Sequence, residues 1–168
     1  MKSGGRSSAW RDAHALRLTR FRARNRLRAS RHLCVEPRVS NIPKDLLYTE
    51  EHEYVKRTDE PDVVQVGITD YAQGELGDVV YVELPKPGDA FGKSDTFGTI
   101  EAVKAVSELF APIAGEVVAV NARLDKEPGL VNSDPYGNGW MLRLRLRNSG
   151  DTDNLLGPDE YAKHVGED

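Results

Sequence analysis

Within TIEAVKAVSELF, residues 99–110, Lys104 is the one basic side chain. It is also the only one between Ser94 and Ala122, a span that holds the carboxylates Asp95, Glu101, Glu108 and Glu116. An amine isolated in this way is either an ordinary solvated ammonium or a group displayed for chemical modification. With an ordinary pKa of about 10.4, a free lysine offers no redox or carrier chemistry of its own. Other chemistries find less support. GDAFGKS (88–94) has three residues between its glycines, where a phosphate-binding loop needs four, and strand-like residues follow it. HEYVK (52–56) has Lys56 where a zinc-binding helix would place its second histidine. His14, His32, His52 and His164 are scattered, and Cys34 is the single cysteine. Neither a disulfide framework nor a thiolate metal cluster is possible within one chain. No nucleophile–base set is legible, so no catalytic residue and no metal site are expected.

The elements that would position Lys104 can be read from periodicity. EYVKRT (53–58) and DVVQVGIT (62–69) are β-branched runs around a DEP turn and predict a hairpin. Thr69 or Asp70 can cap a short helix through YAQGEL that Gly77 stops. DVVYVELP (78–85) and GEVVAVN (115–121) read as strands, with the turn cluster PKPGDAFGKSD after the first. In WMLRLRLRN, Leu142, Leu144 and Leu146 alternate with Arg143, Arg145 and Arg147, a strand with one solvated face. LDKEPGLVNSDPYGNG is a turn-rich connection, and GPDEYAKHV suggests a last short helix with Pro158 in its first turn. Such a set of short strands indicates a small β-rich barrel or sandwich. The stretch around Lys104 reads differently. Ile100, Val103, Val106 and Phe110 fall near one face of an amphipathic helix that Thr99 could cap, and no Asn-Gly or Asp-Gly marks a tight turn. Periodicity alone therefore favours a helix over residues 99–110, with a hairpin as the alternative.

Charge divides the chain. Residues 1–40 carry 11 Lys/Arg and 2 acids, whereas residues 41–168 carry 12 Lys/Arg and 25 acids. The acidic part argues against nucleic-acid binding and favours basic protein partners. No apolar run is long enough to span a membrane. The first forty residues are Arg- and Ser-rich. They suit a disordered extension or an upstream stretch included by a misplaced start. A mitochondrial-type transit peptide and a nucleic-acid-binding arm are the other readings.

Taken together, LLYTEEHEYV, VGITDYAQGELGDVVYVELPKPGD, IEAVKAVSELFAPIAGEVVAVN and PGLVNSDPYGNGWM resemble the H protein of the glycine cleavage system. The resemblance runs from about Asn41 to about Val165. Its lysine-centred block, with Gly115 eleven residues after the lysine, is shared in outline with other lipoyl domains. The resemblance implies a mainly β, lipoyl-domain-like barrel-sandwich hybrid of two small antiparallel sheets with added short helices, over residues 41–168. It also implies a tight hairpin with Lys104 at its tip, against the periodicity reading. Lys104 would carry lipoate in amide linkage, with Glu101 and Glu108 as negative marks for the lipoate-attaching enzyme. The implied role is a shuttle, not an enzyme. It moves the aminomethyl group of glycine from a pyridoxal-phosphate decarboxylase to a tetrahydrofolate-dependent aminomethyltransferase, and dihydrolipoyl dehydrogenase reoxidises the arm.

In such a family the loaded arm folds into a cleft, to which the resemblance assigns Glu53 and position 71. Many members carry histidine at that position; Tyr71 here donates a hydrogen bond but does not titrate near neutrality. Tyr54 stands for a frequent tryptophan and Ala102 for a common serine. SNIP (40–43) matches a frequent family start, which places residues 1–38 outside the expected natural product. The expected location is the bacterial cytoplasm, or the mitochondrial matrix if the extension is a transit peptide. The rivals are a biotinyl domain, disfavoured by Val103 and Ala105 where methionines would flank the lysine, a lipoyl donor to 2-oxoacid dehydrogenases, and an unmodified interaction module.

Overall fold

The structure, a computed structural model, describes residues 39–167. All but the last two residues of the expected Arg-rich extension lie outside the described residues. In chain order the elements are β1 (Leu47–Tyr48), β2 (Glu53–Arg57), β3 (Val63–Ile68), α1 (Asp70–Leu76), β4 (Val79–Glu83), β5 (Ala90–Phe91), β6 (Thr96–Ala102), β7 (Val106–Phe110), β8 (Gly115–Val120), α2 (Leu130–Ser133), β9 (Leu142–Leu146) and α3 (Pro158–Val165). Two 3-10 turns, Ala122–Asp125 and Ser149–Asn154, complete the set. The strands form two antiparallel sheets, one of order β1-β2-β3-β9-β8-β5 and one of order β4-β6-β7.

Most local signals hold. β2 and β3 make the predicted hairpin, with Val55 opposite Val66 and Glu53 opposite Ile68. The Thr69 hydroxyl caps α1 by accepting from the Ala72 amide at 3.2 Å, and Gly77 ends the helix at φ 81°. Pro158 opens α3, whose Glu160 carboxylate accepts from the Gly157 amide at 3.0 Å. On β9, Leu142 and Leu144 are buried while Arg143 and Arg145 face solvent, the Arg143 guanidinium lying 5.0 Å over the Trp140 ring. Several short elements escape the sequence pattern, among them β1 and both 3-10 turns. The two-residue β5 sits inside the predicted turn cluster, and α2 interrupts the turn-rich connection.

The inner faces of the sheets meet in one core. Val55, Val66, Val117, Leu142 and Leu144 of the large sheet pack with Val79, Val82, Ile100 and Leu109 of the small one. Burying apolar surface in this way is the main favourable term in holding two such sheets together. A second cluster, Leu46, Tyr48, Tyr54 and Tyr161, ties β1 and β2 to α3, with the Tyr48 and Tyr161 rings stacked at 4.5 Å.

The helix that periodicity favours over 99–110 is not formed. β6 and β7 make a hairpin there, pairing Thr99 with Glu108, Ile100 with Ser107 and Glu101 with Val106. Burial explains why the pattern misleads. On a helix Val103 and Val106 would face the core, but they are 71% and 69% exposed. The apparent apolar face of a helix is made by Ile100 in the core and two solvated valines at the hairpin tip, residues that never share a face.

Candidate functional site

The β6–β7 hairpin displays Lys104. The Ala102 amide donates to the Ala105 carbonyl at 2.8 Å, and the Val103 amide donates to Asp78 O at 3.0 Å, clipping the turn to the start of β4. Lys104 itself is exposed, and among the described residues its ammonium has neither a hydrogen-bond nor an ion-pair partner. Ala102 and Ala105 leave space around it. Exposed apolar side chains surround the tip: Val103 and Val106 on the hairpin, Val80 and Tyr81 on β4, whose Tyr81 pairs with Glu101. Solvated valines beside a free amine form a surface that a modifying enzyme can grip, and nothing in the period-two or period-3.6 patterns singles out Val80 and Tyr81.

Glu101 lies exposed on β6, two residues from the turn. Glu108 is different. It also is exposed, yet it lines a mainly apolar cavity of about 180 Å³ together with Glu53, His52, Glu51 and Glu75. Ile68, Leu76, Ile100 and Leu109 supply its apolar wall. The cavity thus abuts the strands of the hairpin that carries Lys104. The four residue steps from Lys104 to Glu108, two of them from the turn to the start of β7, span at most roughly 13 Å. A lysine extended by an eight-carbon acyl chain reaches on the order of 14 Å, at about 1.25 Å of advance per bond. The residues present therefore fit a lipoyl arm that folds back along β7.

Glu53 is 2% exposed. Its Oε1 accepts from the Phe110 amide at 3.1 Å, a bond that joins β2 of the large sheet to β7 of the small one. Its Oε2 accepts from the Thr49 hydroxyl, whose oxygen in turn accepts from the Glu53 amide at 3.0 Å. Burial pushes the Glu53 pKa up to about 7, against the pull of these two hydrogen bonds. On its other side Glu53 lines a second cavity of about 220 Å³, with Thr49, Lys93 and Phe110. A carboxyl poised near neutrality at the wall of an apolar cleft can receive a cation and ionise as it does so.

Tyr71 does not line either cavity that Glu53 lines. It sits on α1 with its ring 5.0 Å from that of His52, beside a neighbouring recess shared with Ser40, Asp70 and Glu167. His52 occupies the place next to Glu53 instead. Thr49, which lines the second cavity with Glu53, and His52 and Glu75, which line the first, are residues that sequence reasoning missed. Thr49 and His52 flank Glu53 in the turn before β2, where the positive φ of His52 (72°) swings its ring toward α1, and no sequence pattern encodes that.

Comparison with known proteins decides the family. The family model described as "Glycine cleavage H-protein" matches residues 46–168. The chain belongs to the glycine cleavage H-protein family. A glycine cleavage system H protein of Listeria monocytogenes serotype 4b is 54% identical over 123 residues, 73% of this chain and 97% of the relative. One from Rubrobacter xylanophilus is 52% identical over 130 residues, 77% and 99% respectively. The crystal structure of a glycine cleavage system H protein from Mycobacterium marinum superposes with a TM-score of 0.68 at 36% identity, covering 74% of this chain and 99% of that one. As an H protein, the chain has the lipoyl-carrying role in the glycine cleavage system. No helix among the described residues is long and apolar enough to cross a membrane.

Proposed function

We propose that Lys104 is the lipoyl-attachment residue and that the cavity beside Glu53 shelters the loaded end of the arm. The observation that carries this reading is an exposed, unpartnered lysine at a clipped hairpin tip, with an apolar cleft abutting the same two strands. When bound, the lipoyl group supplies a dithiolane that accepts an aminomethyl group and two electrons and later gives both up. The protein's own residues do the rest. The Ala102–Ala105 bond and the Val103–Asp78 bond hold the tip still while a lipoate-attaching enzyme reaches the Lys104 amine. Glu101 and Glu108 mark that amine by charge. In the cleft, Glu53 and Glu108 attract a primary ammonium, and Ile68, Leu76, Ile100 and Leu109 exclude water from the carbon chain.

Three enzymes meet the arm in turn on this account: a pyridoxal-phosphate decarboxylase of glycine, a tetrahydrofolate-dependent aminomethyltransferase and dihydrolipoyl dehydrogenase. This protein is their shared substrate, working in the cytoplasm of a bacterium, in keeping with its bacterial relatives. A direct test replaces the amine. Lys104→Arg keeps the charge but removes the acylatable amine, so it is expected to take no lipoate from a lipoate-attaching enzyme and to support no glycine decarboxylation. Its melting temperature should match the parent's, because among the described residues the Lys104 ammonium has no hydrogen-bond or ion-pair partner. Lipoate incorporation into Lys104→Arg equal to the parent's would refute the assignment.

A further inference from the structure

His52 has a second neighbour set that the carrier role does not itself require. Its Nδ1 lies 2.9 Å from the hydroxyl of Tyr161, which lies 2.8 Å from the hydroxyl of Thr69, which accepts from the Ala72 amide at 3.2 Å. Thr69 and Tyr161 are fully buried. The direction of this chain follows from counting hydrogens. Tyr161 is the one acceptor within reach of the Thr69 hydroxyl hydrogen among the described residues, so Thr69 donates to Tyr161. Tyr161 then has His52 Nδ1 left as its acceptor. An imidazole that accepts at Nδ1 carries its hydrogen on Nε2 and is neutral. Protonating Nδ1 would force the Tyr161 hydrogen back toward Thr69 and strand a buried hydroxyl hydrogen without an acceptor.

We propose that His52 is a positioning residue of the arm-sheltering cleft, which the Thr69–Tyr161 hydroxyl chain holds as the neutral Nε2–H tautomer so that the cleft stays free of positive charge when an ammonium-bearing load enters. The inference rests on the cleft reading given above. The groups facing His52 pull in both directions. Glu51 and Glu75 favour its protonation; burial and His164, its ring 5.6 Å away, oppose it, and the net effect holds its pKa below the usual histidine value. Tyr71 and Tyr161 flank the ring uncharged, and Glu53 and Glu108 complete the wall. His164, whose Nε2 lies 3.0 Å from Glu50 O, is exposed and outside the cavity. In a cleft that collects four carboxylates for a cation, an imidazolium would be the one group of the wrong sign.

The test uses the lipoylated protein and its Tyr161→Phe variant. By NMR, the His52 ring of the parent should stay neutral, with the Nε2–H signature, down to a lower pH than an ordinary histidine, and in Tyr161→Phe it should titrate at higher pH. Aminomethyl-loaded protein should lose its load at equal rates in the two forms at pH 8, and about fivefold faster in Tyr161→Phe at pH 6, the effect of one added like charge nearby. Glu53 titrates in both forms, so the ratio isolates His52. His52→Asn, neutral and tolerant of the left-handed backbone, should restore the parent's pH 6 rate in the Tyr161→Phe background. An ordinary His52 titration in the parent, or equal release ratios at both pH values, would overturn the proposal while leaving the cleft reading intact. If the loaded parent lost its group as fast as Glu53→Gln at every pH, the cleft reading would fail and this proposal with it.

Discussion

Glu53 combines a burial that weakens the fold above neutral pH with a place in the wall of the proposed arm-sheltering cleft. Its folded pKa of about 7 lies above the ordinary value of 4.5 because burial penalises the charge. The folded protein therefore holds this proton more tightly than the unfolded chain. Stability from this group is fully present below pH about 4.5, fades as pH rises through about 7, and is absent above it. Glutamine keeps the shape: its oxygen can accept from Phe110 and its amide can donate to Thr49. Glu53→Gln is expected to match the parent in thermal stability near pH 4.5 and to exceed it by about 3 kcal/mol at pH 8, read from melting curves at both pH values. The same change should speed loss of the loaded aminomethyl group, because the ammonium loses its counter-charge. Opposite signs for stability and retention mark a residue kept for the load. A fall in both would make it an ordinary structural carboxylate.

At the scale of elements, the sequence was legible wherever one local rule decided the outcome. The β2–β3 hairpin, the Thr69 cap, the Gly77 stop and the Leu/Arg alternation of β9 each follow from residues within a few positions of one another. The β6–β7 hairpin was not legible from periodicity, since its helix-like spacing depends on the exposed tip valines Val103 and Val106, and its turn is clipped to Asp78, more than twenty residues away. The resemblance between whole motifs carried that information instead. The cleft was half legible. Glu53 stood out through its motif, whereas Thr49 and His52 join it through a turn that only the fold defines, and Tyr71 falls one ring further out than the motif suggests. Gly115, like Gly98, is a position set by tertiary contact. A Cβ there would sit 2.6 Å from the Arg145 carbonyl oxygen, at the pairing of β8 with β9. Backbone cannot yield cheaply, so Gly115→Ala should cost about 2–4 kcal/mol in denaturant unfolding with the lipoylation site itself unchanged. A loss under 0.5 kcal/mol would show that the strands part easily.

At the scale of the molecule, residues 41–168 hold 25 acids against 12 Lys/Arg. A carrier within a multi-enzyme system, such as the proposed shuttle between three enzymes, gains from fast, weak encounters, which complementary charge provides without a large interface. The exposed valines and Tyr81 at the hairpin tip add a small apolar contact at the point of chemistry. Raising ionic strength from about 0.05 to about 0.3 M should therefore raise the KM for this protein in the decarboxylase reaction several-fold with little change in kcat, because exposed charges are screened within the shorter Debye length. A salt-independent KM would mean that the apolar tip governs docking.

Lys104 is the proposed carrier of the arm, and everything else in the cleft follows from it. Intact mass of the protein purified from its native cells, followed by fragmentation across residues 99–110, tests this most directly. A lipoyl adduct confined to Lys104 is the predicted result. An unmodified Lys104, in cells whose other lipoyl proteins are modified, would contradict it and leave the fold as an interaction module without an arm.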